Sequence, residues 1–184
     1  VTLVGIVNGD TGLFLPDFRS GEKVFQLIYQ AAGRSGRRKP GEVIIQTYNP
    51  DNPVLIHAAR LDQKTYYNIA LSERQELNYP PFSWLIRLEI EGTKKELVTT
   101  HADKIRKKLS PSPKGIDILG PAKCYRERLR GKYRMHIMIK SNKTHDTNGE
   151  RLHSFLQDHF AVGLLNKLPS SVKVLIDVNP VSVL

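Results

Sequence analysis

The segment Tyr79–Pro80–Pro81–Phe82 limits the possible folds more than any other stretch of this chain. Proline has no backbone N–H, clashes with the preceding helical turn and restricts the residue before it. Two in succession stop any helix that approaches them. The hydrophobic pattern also changes across this point. The sequence therefore predicts two domains, residues 1–78 and 79–184.

Before the prolines, residues 1–8 read as a buried strand and Asn8–Gly9–Asp10–Thr11–Gly12 as a turn-forming loop. A helix is predicted from near Gly21, with Ser20 as its N-cap. Val24, Phe25, Ile28 and Ala32 recur at helical spacing and form its buried stripe, which Gly33 ends. Pro40–Gly41 then sets a turn before a strand over Glu42–Thr47. Strand, helix and strand joined by short links are what a parallel α/β sheet requires. Further helices are expected over residues 53–60 and 62–77.

After the prolines, Trp84, Ile86, Leu88 and Ile90 alternate with Arg87, Glu89 and Glu91, the pattern of a half-buried strand. A helix follows, with Val98, Ala102, Ile105 and Leu109 on one face. Two strands come next, roughly Ile116–Arg128, bent or broken at Gly120–Pro121, and Lys132–Lys140. Leu152, Phe155, Leu156 and Phe160 mark another helix, and Val172–Val178 a last strand. The order βαββαβ predicts a split-βαβ sandwich, α+β in class, with both helices on one face of an antiparallel sheet. Trp84 suits either an anchor in this core or an aromatic platform.

Charge narrows the partners. The chain carries 28 Lys+Arg against 18 Asp+Glu, a net charge of +10, which favours a polyanion such as nucleic acid. Cys124 is the only cysteine, so a disulfide within the chain is impossible, and a reducing cytoplasm fits. The histidines show no metal-ligand spacing. No apolar run approaches the roughly 20 residues that span a bilayer, so no membrane partner is expected. Val1 opens directly into an apolar, strand-like run without a basic lead-in. That is unlike a signal peptide and suggests the C-terminal part of a longer protein.

Gln30–Ala31–Ala32–Gly33–Arg34–Ser35–Gly36–Arg37 sets two glycines beside two arginines just past a helix end. Arginine stays ionised and offers a planar fork of donors to phosphate oxygens, while glycine allows close backbone approach. A solvated basic loop, continued through Arg38 and Lys39, is the alternative. The pattern Gln-x-x-Gly-Arg-x-Gly-Arg resembles motif VI of superfamily 2 helicases. Val1–Arg19, with Gly5, Asp10 and Leu15–Pro16–Asp17–Phe18–Arg19, is similar to motif V and its continuation in the PriA family of primosomal replication-restart helicases. Pro40–Thr47, Tyr79–Ser83, Leu129–Arg134 and Ile176–Leu184 resemble the C-terminal third of that family. Asn8 stands where an acidic residue is common, and Ser35 where alanine is usual.

The resemblance implies a truncated RecA-like helicase lobe followed by an α+β domain resembling a small-subunit ribosomal protein. It implies an ATP-dependent 3′-to-5′ DNA helicase that acts at stalled or forked DNA and assembles the primosome. ATP and Mg2+ would be its cofactors, with zinc bound in a family segment not present in this sequence. Forked and single-stranded DNA, single-stranded DNA-binding protein and other primosome proteins would be its partners. Arg34 and Arg37 would meet the γ-phosphate, with Gly33 and Gly36 allowing the approach. Gln30 would couple the nucleotide to the lobe interface, and Asp10 would link nucleotide state to the DNA strand. No P-loop is found in the chain, so it is expected to lack ATPase activity by itself. Another superfamily 2 motor and a non-catalytic nucleic-acid-binding module are the alternatives.

A second basic concentration lies in the predicted hairpin. Lys123, Arg126, Arg128, Arg130, Lys132 and Arg134 stand against Glu127. Lys132, Arg134, His136 and Lys140 alternate with apolar residues and so share one side of the sheet. Regularly spaced cations suit a phosphate backbone, and Tyr125 or Tyr133 a base. A solvated sheet face accounts for the same pattern.

Overall fold

The computed structural model describes residues 2–35, 41–160 and 168–184. The chain divides into two compact units, Val1–Glu73 and Arg74–Leu184. The division falls near the end of α3 (Gln63–Glu76), just ahead of the double proline.

In the first unit, β1 (Leu3–Ile6) and β2 (Glu42–Ile45) are parallel, with Leu3 opposite Glu42 and Ile6 opposite Ile45. The connection between them contains α1 (Ser20–Ala32). Val24, Phe25 and Ile28 of α1 pack with Leu55 and Ala58 of α2 (Pro53–Ala59) and with Tyr66 of α3. The Phe25 and Tyr66 rings stack at 4.1 Å between centroids, so the amphipathic stripe of α1 finds an aromatic partner. Asn52 caps α2, its side chain accepting from the Val54 N–H at 3.0 Å.

The start of α1 differs from the sequence reading. Ser20 lies inside the helix, Arg19 is the N-cap, and Ser20 Oγ donates to the Leu15 carbonyl at 2.9 Å. Asp17 organises this end instead. Its carboxylate accepts from the Arg19 N–H at 2.9 Å and from Lys23 Nζ at 2.8 Å. A carboxylate offers two oxygens and a charge, so one residue ties the approach to the first turn.

The second unit holds β3 (Ser83–Gly92), α4 (Lys95–Lys108), β4 (Ile116–Leu129), β5 (Lys132–Asn142), α5 (Glu150–His159) and β6 (Val172–Val178). The strands form an antiparallel sheet in the order β4-β5-β3-β6. Ile86, Leu88 and Ile90 of β3 and Ile137 and Ile139 of β5 pack against Val98, Ala102 and Ile105 of α4 and Leu152 and Phe155 of α5. This is the expected βαββαβ arrangement, with its core on the helix side. β4 bends where expected. Its register against β5 shifts between Leu119 and Ala122, and Gly120 sits there at φ +95°. A side chain on Gly120 would be strained and would meet the His136 carbonyl at 2.9 Å.

Trp84 proves to be an anchor. Its indole N–H donates to the Asp146 carbonyl at 2.9 Å, and its ring packs on the core. The Asp146 carboxylate accepts from Ser141 Oγ at 2.8 Å and from the Leu152 and Arg151 N–H groups at the start of α5. Burial opposes its charge, but these bonds prevail and hold its pKa below the usual carboxylate value.

β3 is one of the two inner strands, and it is buried on both faces rather than half-buried. Arg87 and Glu89, on the side away from the helices, are 7% and 8% exposed. Leu88, fully buried on the helix side, reports on this packing. Leu88→Ala is expected to lower unfolding free energy by about 2–5 kcal/mol in urea denaturation followed by circular dichroism.

Candidate nucleic-acid interface

The β4–β5 hairpin closes at Arg130 and Gly131, with φ of 49° and 80°. Two successive positive φ angles twist the turn in the sense that antiparallel strands require. The register opposes Glu89 to His136 and Glu91 to Arg134, so β3 lies beside the basic strand. This pairing brings carboxylates to cations far apart in sequence. Arg134 donates from Nε and a terminal nitrogen to the two Glu89 oxygens, at 2.5 and 2.7 Å. Arg87 reaches the same carboxylate at 2.8 Å. Lys132 pairs with Glu91.

The side shared by Lys132, Arg134, His136 and Lys140 is therefore not an open phosphate track. Lys132 and Arg134 are paired. Burial and the Arg87 charge push the His136 pKa down, favouring the neutral ring. Lys140 is buried, its ammonium 3.5 Å from the Tyr79 ring centroid and donating to the Leu77 carbonyl at 3.0 Å. It secures the segment that leads into β3.

The hairpin cations left open lie on the edge strand β4 and in the turn. Arg126 and Arg130 are exposed and have no ion-pair partner among the described residues. Arg128 is exposed and lies over the Tyr133 ring at 5.3 Å. Tyr125 is 57% exposed beside them. Glu127 is held between Lys95 at 2.9 Å and Lys123 at 3.2 Å. The one acid of this stretch is thus already matched by other cations. The result is a run of arginines with an aromatic ring along one edge of the sheet, an arrangement that can take phosphates and a base.

The arginine motif lies in the other unit. Gln30, Gly33 and Arg34 are exposed at the C-terminal end of α1. Gln30 is in the last turn of α1, and Arg34 follows its C-cap Gly33. Gly33 keeps an ordinary helical φ of −63°, so the freedom expected of it is not used. Gly36 and Arg37 lie outside the described residues. Arg34 and Asp10 fall at opposite ends of β2. Ser35 Oγ donates to the carbonyl of Glu42, the first residue of β2. Asp10 accepts from Thr47, Tyr48 and Asn49, beyond its last residue. About 20 Å of extended chain separates those anchors. Among the described residues, no group of three His, Cys, Asp or Glu could hold a metal ion. None of the described helices is long and apolar enough to cross a membrane.

Residues 75–181 match the family described as the primosomal protein N C-terminal domain. The chain belongs to the PriA family. It is 38% identical to the replication restart protein PriA of Chlamydia pneumoniae, over 99% of this chain and 24% of that protein. For PriA of Treponema pallidum the identity is 38%, over 99% of this chain and 27% of that protein. For PriA of Bacillus subtilis it is 36%, over 98% and 22%. The chain thus spans about a quarter of the length of these PriA relatives.

Within this PriA-family domain, sequence reasoning missed the role of Glu89 and Glu91. Their only signal was acidity in a strand whose other side was apolar. Glu89 is also the group whose ionisation the fold controls most visibly. Burial alone would raise its pKa, but the hydrogen bonds from Arg134 and the charge of Arg87 bring it below the usual carboxylate value. A carboxyl lowered on folding contributes stability above its unfolded pKa, about 4.3, and loses it as pH falls through the folded value. Thermal midpoints measured from pH 7 downward are expected to fall through this window in the wild type. Glu89→Gln is expected to start lower and to flatten that part of the acid limb. Arg134→Ala is expected to cost about 3–5 kcal/mol, the scale for breaking a buried pair. Arg130→Ala is expected to stay within about 0.5 kcal/mol.

Proposed function

We propose that this chain is the C-terminal part of an ATP-dependent 3′-to-5′ DNA helicase that recognises forked or stalled DNA and assembles the primosome for replication restart. In this reading it contributes the arginine motif and a C-terminal domain that grips DNA. Membership of the PriA family supports the assignment, and the relatives carry the name replication restart protein. The observation that carries the DNA role is the division of charge between the two strands of the hairpin. On β5, beside β3, Lys132 and Arg134 are neutralised by Glu91 and Glu89, while Arg126 and Arg128 of the edge strand β4 and Arg130 of the turn have no carboxylate partner among the described residues. Cations kept free along one edge of a sheet suit a polyanion better than they suit folding.

The arginine motif would act in the full-length enzyme. Arg34 and Gln30 are both exposed around the C-terminal end of α1, open to a phosphate group presented from another lobe. Arg34, with Arg37, would neutralise charge that spreads over the γ-phosphate oxygens during transfer, an effect worth about 10³–10⁵ in rate for an arginine finger. ATP and Mg2+ would be needed, and the remaining catalytic groups would come from the P-loop lobe. Single-stranded DNA-binding protein and other primosome proteins are the proposed protein partners, and zinc the proposed metal of the longer protein.

Two measurements test these roles. Replacing Arg126, Arg128 and Arg130 together by Glu is expected to weaken binding to a labelled DNA fork. The slope of log affinity against log salt is expected to fall by about 0.7–0.9 for each phosphate that is no longer neutralised. An unchanged affinity and slope would exclude these three arginines as the DNA-binding element. In the full-length enzyme, Arg34→Ala is expected to leave ATP binding nearly intact while lowering kcat severely. The 184-residue chain alone is expected to show no ATP hydrolysis.

A further inference from the structure

Tyr48 is the most exposed large hydrophobic side chain among the described residues, at 89%. Its backbone, in contrast, is held from both sides. The Asp10 carboxylate accepts from Thr47 Oγ1 at 2.8 Å, the Tyr48 N–H at 2.9 Å and Asn49 Nδ2 at 2.8 Å. The Asn49 N–H donates to Thr47 Oγ1 at 2.9 Å, and the Asn52 N–H to the Asn49 carbonyl at 3.1 Å. On the facing strand, the Gly9 N–H donates to the Gln46 carbonyl at 2.8 Å. A Cβ on Gly9 would lie 2.8 Å from the Ile45 side chain, so the two segments approach as closely as backbones allow. A turn bound this firmly has already given up its conformational entropy. Its ring nevertheless makes no stacking or hydrogen-bond contact with any described residue.

Beside this turn is a hollow of about 280 Å³ lined by Ile45, Thr47, Pro50, Leu55, Ile56 and Arg60. It is smaller than the pockets that enclose drug-sized ligands and is on the scale of one flat heterocycle. Arg60 is exposed at its edge with no carboxylate partner among the described residues. Asp51 is the exposed acid of the same turn, so the site does not attract anions indiscriminately, and stacking is its main attraction. The turn and hollow lie at the carboxyl ends of parallel strands, where open α/β sheets bind their ligands. A stable protein interface buries about 800 Å² on each partner, more than one ring and a small hollow offer. One rigidly mounted ring beside a small apolar hollow and a guanidinium fits a single base and its phosphate.

We propose that Tyr48, positioned by Asp10, is a stacking platform for an unpaired nucleic-acid base, with the adjoining hollow and Arg60 receiving the neighbouring nucleotide. The proposal rests on the reading of this chain as a nucleic-acid binder, and adds a binding element in the first unit that the hairpin does not supply. Stacking requires a free base face, so this element serves single strands and not closed duplex.

The test uses the 184-residue chain, with a labelled oligothymidylate and a blunt duplex followed by fluorescence anisotropy. Tyr48→Ala is expected to weaken oligothymidylate binding about 5- to 150-fold, the range for one stacked base, and to leave duplex binding unchanged. Tyr48→Phe is expected to bind as the wild type. Asp10→Ala should lose part of the same affinity, and Asp10→Asn, which keeps one accepting oxygen where the carboxylate has two, should lose less. The ring is exposed, so Tyr48→Ala should melt at the wild-type temperature. Wild-type oligothymidylate binding by Tyr48→Ala, with the triple hairpin variant still weakened, would overturn the platform and leave the wider reading standing. If neither variant is weakened, the wider reading falls as well. Altered self-association of Tyr48→Ala in sedimentation, with oligonucleotide binding untouched, would make the ring part of a protein interface and also overturn the proposal.

Discussion

Glu89 sits in an inner strand of the second unit with Arg134 bound to both of its oxygens and Arg87 beside it. Taking three charged groups out of water is costly, and a buried pair of this kind adds little net stability over an apolar substitute. Its effect is on which structure forms. A strand that slips by one residue sends every side chain to the opposite face. For β3 such a slip would put Glu89 and Arg87 among Ile137, Ile139 and the helices, with no counter-charge. The ion cluster therefore makes the observed register the one in which both faces of β3 are tolerable. The hairpin inherits its position from that register, since β5 is the strand Glu89 grips.

That dependence explains how a strongly basic ribbon becomes selective. Cations on β5, which adjoins β3, are consumed by Glu89 and Glu91, and Lys140 is used to hold Leu77 and Tyr79 against the sheet. On β4 and the turn, which do not adjoin β3, Arg126, Arg128 and Arg130 stay open. The sheet thus concentrates exposed charge along one edge. The first unit follows a related logic at smaller scale. Asp10 gathers three donors from the turn after β2, and in doing so mounts Tyr48 outward. Arg34 and Gln30 stand at the opposite end of the same strands. Phosphate chemistry and base stacking would then occupy separate ends of one small sheet.

Much of the fold was legible from local pattern. The stripe Val24, Phe25, Ile28, the alternation from Trp84 to Ile90, and the break at Gly120–Pro121 each reflect a constraint that acts over a few residues. The two units divide between Glu73 and Arg74, within α3 and ahead of the double proline. Local pattern points to Ser20 as the cap, but Asp17, three residues earlier, offers two acceptor oxygens and draws the approaching chain to itself. Alternating charge usually faces water, so local pattern makes β3 half-buried. Here Arg87 and Glu89 satisfy one another and Arg134, so the charged face is buried as well.

The sequence by itself determined the family, the βαββαβ order, the arginine motif and the excess of positive charge. Those properties reside in residue identity and short spacing, which survive without coordinates. The tertiary structure alone decided which cations are available. Glu89 and Arg134 are 45 positions apart, and Asp10 and Tyr48 are 38 apart. Ion pairing and hydrogen bonding act over a few ångströms, and only folding brings such residues within that range.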